Sequence, residues 1–216
     1  MKEFLDNKNY TCVAVSKTKP NEKIKELYDI GYRHFGENKV QEMVIKNENL
    51  PSDIFWHMIG HLQTNKVKMI VPFVHLIHSV DSIKVLSKIN NESKKINKKT
   101  NCLIQINISN EESKYGFLKN EVMNLFLNNR FNEYENIKIK GLMGMASFSE
   151  NDSLIKNEFR TLKKFYENIK KKKNKKDNNI NFKILSMGMS NDYKIALDVG
   201  SNMIRIGSLL FGKRNY

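Results

Sequence analysis

The chain has 216 residues and a formal net charge of +14, from 37 Lys and Arg against 23 Asp and Glu, with 40% hydrophobic residues. That length fits one domain over residues 1–216 with a sizeable core, and the apolar share excludes compositional disorder. No stretch approaches the roughly 20 apolar residues of a membrane span. The first ten residues lack the apolar run of a secretion signal. A cytoplasmic setting is therefore expected, with Cys12 and Cys102 as buried thiols rather than a disulfide.

In chain order, residues 10–16 (YTCVAVS) are apolar and β-branched, which predicts a buried strand. Residues 21–30 place Ile24, Leu27 and Ile30 on one helical face before Gly31. A short strand over 32–35 and a helix over 39–46 follow. Residues 54–59 predict a strand, 63–71 a helix and 76–80 a strand. Asp81 is placed to cap a helix running to about residue 90. Residues 102–108 (CLIQINI) read as a strand, 119–129 as a helix and 137–146 as a strand. Residues 153–171 form a long amphipathic helix through Leu154, Phe159, Leu162, Phe165 and Ile169. A strand at 182–185, a helix at 192–199, a strand at 203–206 and a final turn at 208–211 complete the chain.

Eight strands separated by seven helices imply a parallel sheet with helical crossovers. Eight units in this length predict a single (β/α)8 TIM barrel at the small end of its size range. A doubly wound open sheet is the alternative, but no Gly-x-Gly-x-x-Gly follows the first strand. The charge is concentrated rather than spread. Residues 84–99 hold six Lys and one Glu, and residues 163–176 hold eight Lys and one Glu. Only five of the basic residues are Arg. A surface built for nucleic acid uses more Arg and interleaved aromatics, so these tracts read as solvated helix ends and loops. Neither nucleic acid nor membrane is expected as a partner.

In such a barrel function collects where strands end. The first strand runs into Ser16-Lys17-Thr18-Lys19-Pro20, the second into Gly36-Glu37-Asn38, and the third carries His57. The seventh leads into Ser186-Met187-Gly188-Met189-Ser190, and the eighth carries Arg205-Ile206-Gly207-Ser208. Barrels of this class bind phosphate with the loops after strands seven and eight. Here those loops offer backbone N–H groups at Gly188 and Gly207 and the hydroxyls of Ser190 and Ser208, with Ser190 placed to cap the next helix. A lysine at the end of strand one points over the same mouth and can form a Schiff base with a carbonyl. Lysine plus a phosphate cup is the layout that pyridoxal 5′-phosphate (PLP) requires. His57 and His61, and His75 and His78, do not make a metal site by spacing, so no metal is expected.

Seven motifs carry a resemblance: AVSKTKP at 14–20, FGENKVQE at 35–42, WHMIGHLQTNK at 56–66, IQINISNEESKYG at 104–116, GLMGMA at 141–146, LSMGMSNDY at 185–193 and IRIGSLLFGKRNY at 204–216. Together they resemble the PLP homeostasis protein family, whose barrel is that of the N-terminal domain of alanine racemase. The resemblance implies a covalent PLP aldimine on Lys17, with Lys19 as the local rival. It implies Asn38 near the cofactor ring, unless Asn38 merely caps a helix, and His57 approaching the pyridoxal face. Met143 and Met189 are implied as pocket wall, a role no easier to argue than core packing. Ser190, Gly207 and Ser208 are implied as phosphate ligands, with Ser186 a neighbour, and Arg205 as the group beside the pyridine nitrogen. A permanent guanidinium there disfavours a proton on that nitrogen and weakens the ring as an electron sink. The chain ends soon after strand eight, where alanine racemase continues into a β-rich domain that supplies a catalytic tyrosine. The implied function is thus a PLP carrier or reservoir without turnover, serving apo PLP-dependent enzymes; the alternative is a PLP-dependent amino-acid racemase. Only nine residues precede Tyr10, fewer than the helix relatives carry there, so an exposed flank and a monomer or weak dimer are expected.

Overall fold

The computed structural model describes residue 4 and residues 9–109, 115–172 and 178–212. Parts of the motifs at 104–116 and 204–216, residues 173–176 of the second lysine tract, and all but one of the first eight residues lie outside the described residues, as does most of the flank expected to be exposed. Eight strands, β1 (Thr11–Val15), β2 (His34–Glu37), β3 (Phe55–Met58), β4 (Leu76–Val80), β5 (Thr100–Asn107), β6 (Ile137–Met145), β7 (Ile180–Met189) and β8 (Met203–Ile206), close into a barrel in sequence order. Every neighbouring pair is parallel, including β1 with β8 through Thr11–Met203 to Ala14–Ile206. The expected (β/α)8 TIM barrel, like that of the alanine racemase N-terminal domain, is the fold observed.

The helices between strands are α1 (Asn21–Asp29), α2 (Val40–Asn49), α3 (Val67–Ile70), α4 (Ile83–Lys95), α5 (Lys119–Leu127), α6 (Asp152–Lys172) and α7 (Tyr193–Val199), and α8 (Ser208–Phe211) follows β8. No helix among the described residues is long and apolar enough to cross a membrane. Three boundaries differ instructively from the pattern reading. β7 spans ten residues rather than four: the exposed Asn181 and Lys183 alternate with buried Ile180 and Phe182, which extends the strand backwards, and pairing with β8 carries it forward to Met189. α3 is a single turn preceded by a 3-10 turn at Thr64–Lys66. α4 is capped by Ser82, whose Oγ accepts the Val85 N–H at 3.4 Å. Asp81 instead meets His61 Nδ1 at 2.7 Å.

Two apolar layers hold the barrel. Between sheet and helices pack Phe35, Trp56, Met58, Ile77, Leu86 and Phe159, all essentially inaccessible. The buried face of α6, Ile155, Phe159, Leu162, Tyr166 and Ile169, follows the helical period. Inside the barrel, Val13, Leu76, Leu103, Met143 and Met203 form a second cluster. Polar side chains, among them His57, His78, Ser186 and Arg205, are also buried in the interior, and they matter below. Both cysteines are free and buried; burial pushes the Cys12 thiol up to about 12 and raises Cys102 further, so both are inert at neutral pH.

Candidate functional site

At the carboxyl end of β1 the chain makes a tight turn, with the Lys19 N–H donating to the Ser16 carbonyl at 3.0 Å. Thr18 sits at φ 63°, the left-handed region that a β-branched residue disfavours. A buried network holds it there. The Thr18 N–H donates to Glu42 Oε1 at 2.6 Å. Lys46 Nζ from α2 donates to Glu42 Oε1 at 2.7 Å, Glu37 Oε1 at 2.8 Å and the Ser16 carbonyl at 2.8 Å. The Ser16 hydroxyl donates to Glu37 Oε1 at 2.6 Å. Burial pushes the Glu37 carboxyl up to about 7, with Lys46 and Ser16 pulling the other way. The effect of this brace is to fix the backbone on either side of Lys17.

Lys17 is half-buried and lines a cavity of about 690 Å³ at the barrel mouth, a size suited to a small cofactor. Lys19 lines it too, with Nζ donating to the Phe211 carbonyl at 3.1 Å. From β2 comes Asn38, whose buried Oδ1 has no hydrogen-bond partner. The loop after β3 presses on its backbone: a Cβ at Gly60 would collide with the Asn38 carbonyl oxygen and Cα, so only glycine permits this approach.

The opposite wall comes from the β7 and β8 loops. Gly188, at φ 93°, packs so closely on α7 that a Cβ would sit 2.7 Å from Ala196 Cβ. Asp192, and not Ser190, is the residue before α7, and its Oδ1 accepts the Met189 N–H at 2.6 Å. Ser190 Oγ instead accepts the Gly207 N–H at 3.2 Å, which ties the two loops and turns the hydroxyl towards the cavity that Ser190, Gly207 and Ser208 share with Met189. The third wall is the loop after β6, residues 145–150, with Asp152 and Ile155 at the start of α6.

Arg205 forms part of the cavity floor, although its side chain is almost wholly buried. Nη1 donates to Ser186 Oγ at 2.7 Å and Nη2 to the Gly144 carbonyl at 3.2 Å. Burial pulls its guanidinium down to about 10, with Asp192 opposing, so it is charged at neutral pH. Behind Arg205 a row of side chains descends the barrel interior. Ser186 Oγ lies 3.1 Å from His78 Nδ1, His78 Nε2 lies 2.9 Å from His57 Nδ1, and His57 Nε2 lies 2.9 Å from His34 Nδ1. Burial holds His57 and His78 well below the usual imidazole range, so both are neutral.

Seven residues singled out from sequence thus meet at one cavity: Lys17, Asn38, Met189, Ser190, Arg205, Gly207 and Ser208. Three do not line it. Met143 lies in the apolar interior cluster, while Met145, two residues on along the strand and on the same face, reaches the cavity. His57 and Ser186 stand in the row beneath Arg205. The bracing set Glu37, Glu42 and Lys46 escaped the sequence reading. Its signal was present: Val40, Met43 and Lys46 lie on the buried face of α2, so a lysine interrupts an apolar stripe and demands a buried anion.

Comparison with known proteins agrees with the fold. The family model "Alanine racemase, N-terminal domain" matches residues 1–215. A pyridoxal phosphate homeostasis protein of Aquifex aeolicus is 38% identical over 205 residues, covering 94% of this chain and 87% of the relative. The human protein of the same name is 39% identical over 214 residues, covering 94% and 76%. Among solved structures, PipY of Synechococcus elongatus PCC7942 with PLP bound superposes with a TM-score of 0.84 at 28% identity, covering 95% and 94%. An alanine racemase of Clostridium difficile 630 shares the fold at TM-score 0.75 and 18% identity; the match spans 55% of that longer chain.

Proposed function

The chain belongs to the pyridoxal phosphate homeostasis proteins of the alanine racemase N-terminal-domain family, and from that premise we propose that it binds PLP in the mouth cavity as an intracellular carrier or reservoir. The observation that carries this reading is the convergence on one cavity of Lys17, a neutral anion cup and a charged Arg205.

The residues present fit the cofactor. The Ser190 and Ser208 hydroxyls suit a phosphate, which takes donors of this kind readily, and Gly207 completes the cup by holding Ser190 Oγ in place through its N–H. The unpartnered Asn38 Oδ1 is an acceptor awaiting a donor, as a ring hydroxyl provides. Arg205 has donors only and is placed to donate to an unprotonated pyridine nitrogen. When bound, PLP supplies an aldehyde that condenses with a primary amine. Lys17 is the amine we assign as covalent anchor; Lys19 is held back by the Phe211 carbonyl. The deeper residues His57 and Ser186 are assigned to orienting Arg205, and Met143 to packing beneath it. Apo PLP-dependent enzymes are the recipients this role requires, from a chain acting as a monomer or weak dimer in one domain, without turnover of its own.

The test is the absorbance of the protein as purified, followed by borohydride reduction and peptide mapping. Wild-type protein should show a bound-PLP band and a reduced adduct on Lys17. Lys17→Ala should lose the adduct and most retention of cofactor. Equal trapping of PLP by Lys17→Ala sinks the anchor assignment. Lys17-dependent interconversion of alanine or serine enantiomers would replace the carrier reading with the racemase one.

A further inference from the structure

At the foot of the barrel, opposite the PLP mouth, three imidazoles from separate strands come together. His34 opens β2, His57 lies within β3, and His75 immediately precedes β4. One potential ligand nitrogen from each lies within 4.8 Å of the other two. Their ring centroids are 5.2 Å (His34–His57), 5.4 Å (His57–His75) and 5.8 Å (His34–His75) apart. We propose that His34, His57 and His75 form a three-histidine site for a zinc-like transition-metal ion, with solvent as the fourth ligand.

The geometry is near what such an ion needs. Zn–N bonds of about 2.0–2.1 Å in tetrahedral array place ligand nitrogens about 3.3 Å apart. His34 Nδ1 and His57 Nε2 stand at 2.9 Å, so they must part by a few tenths of an ångström, and His75 must swing inward. The backbone at His75 is fixed for this: its N–H donates to the Trp56 carbonyl at 2.9 Å, and its carbonyl accepts from Asn101 Nδ2 at 3.2 Å. His34 and His75 are half-buried, so an ion can enter from solvent, while His57 is inaccessible. The Phe55 ring packs against both outer imidazoles, at 4.9 and 4.6 Å, and supplies an apolar shell. The second shell is also in place. Ligation through His57 Nε2 leaves its hydrogen on Nδ1, facing His78 Nε2 at 2.9 Å, the outer-sphere partner that fixes ligand tautomers in metal sites.

The field decides which ions qualify. The positive charges of Lys98 and Lys140 act on His75, and none of the three ligands is a carboxylate. Mg²⁺ and Ca²⁺, which need oxygen ligands, are excluded; only ions that gain from imidazole coordination suit the site. The site shares His57 with the row beneath Arg205, but its other two ligands stand at the far end of the barrel and its readout is metal binding rather than PLP.

Chelator-treated full-length protein titrated with Co²⁺ tests it. The expected result is one equivalent bound with the visible bands of low-coordinate Co²⁺, bleached by Zn²⁺ and not by Mg²⁺. Those bands should vanish in His34→Gln and in His75→Gln, both checked for native circular dichroism, and persist in His61→Gln, which removes the other accessible histidine. Absence of the bands in wild-type protein overturns the proposal. So does their survival in both His34→Gln and His75→Gln, or their loss in His61→Gln alone.

Discussion

At the scale of single residues, the brace behind Lys17 shows how an ordinary-looking lysine acquires a fixed position. Glu37 is fully buried and shares its Oε1 between Ser16 and Lys46, while its Oε2 has no partner. Removing a carboxylate from water costs more than these contacts return, so its folded pKa is raised from 4.5 to about 7. The sign of the linkage follows. Between those two values the native state keeps a proton that the unfolded chain has released, so this group's contribution to stability is full below about 4.5 and is lost as pH rises through about 7. Glu37→Gln should remove that slope. The stability difference between wild type and variant, followed by urea denaturation from pH 4.5 to 8, should change by on the order of 2–3 kcal/mol. Parallel curves would show that Lys46 fully compensates the burial. The buried histidines contribute the opposite slope at acid pH, being lowered rather than raised, and cancel in that difference.

At the scale of elements, the site depends on close contacts between the ends of strands. Gly60, just after β3, touches the Asn38 backbone just after β2, and a Cβ there has nowhere to go because what it meets is main chain. Gly60→Ala should push the two loops apart. The expected cost is about 1–3 kcal/mol of stability, with weaker PLP retention measured by equilibrium dialysis against the absorbance band. Unchanged retention would show that Asn38 does not contact the cofactor. The length of β7 belongs here too. Its buried stretch beyond Leu185, Ser186 to Gly188, reads in sequence as a loop because Ser186 and Gly188 interrupt the apolar run. Pairing with β8, Ser186 to Met203 and Met189 to Arg205, keeps it in the sheet and so carries Ser190 to Gly207.

For the whole molecule, the charge and the site are separated by the fold itself. α6 runs for 21 residues from Asp152, which lines the cavity, to Lys172, a rise of about 30 Å. That is roughly three Debye lengths at 0.1 M salt. Replacing Lys170, Lys171 and Lys172 with Gln should therefore leave PLP affinity unchanged, within about twofold, across 0.05–0.5 M salt in an absorbance titration. A loss of affinity would mean the basic tract reaches the ligand. α4 shows that the other tract is structured as well: Lys88 and Lys95 both pair with Glu92, at 2.7 and 2.9 Å, where the sequence had suggested mainly loop beyond residue 90.

The alternation of strand and helix, the closed count of eight, and the motifs at the strand ends are local properties, because hydrophobic period and turn chemistry act over a few residues. They sufficed to identify the barrel, the mouth, and a strand-one lysine with Ser190, Gly207 and Ser208 as its candidate residues; Asn38 and Arg205 were implied by the family resemblance. What sequence order could not supply was the partner of each buried polar group. Lys46 meets Glu37 nine positions away, His78 meets Ser186 across 108 positions, and His34, His57 and His75 meet only because the sheet sets β2, β3 and the start of β4 side by side. Which imidazole stands beneath Arg205 and which stands at the far end is fixed by strand register and barrel closure, and these exist only once the chain has folded.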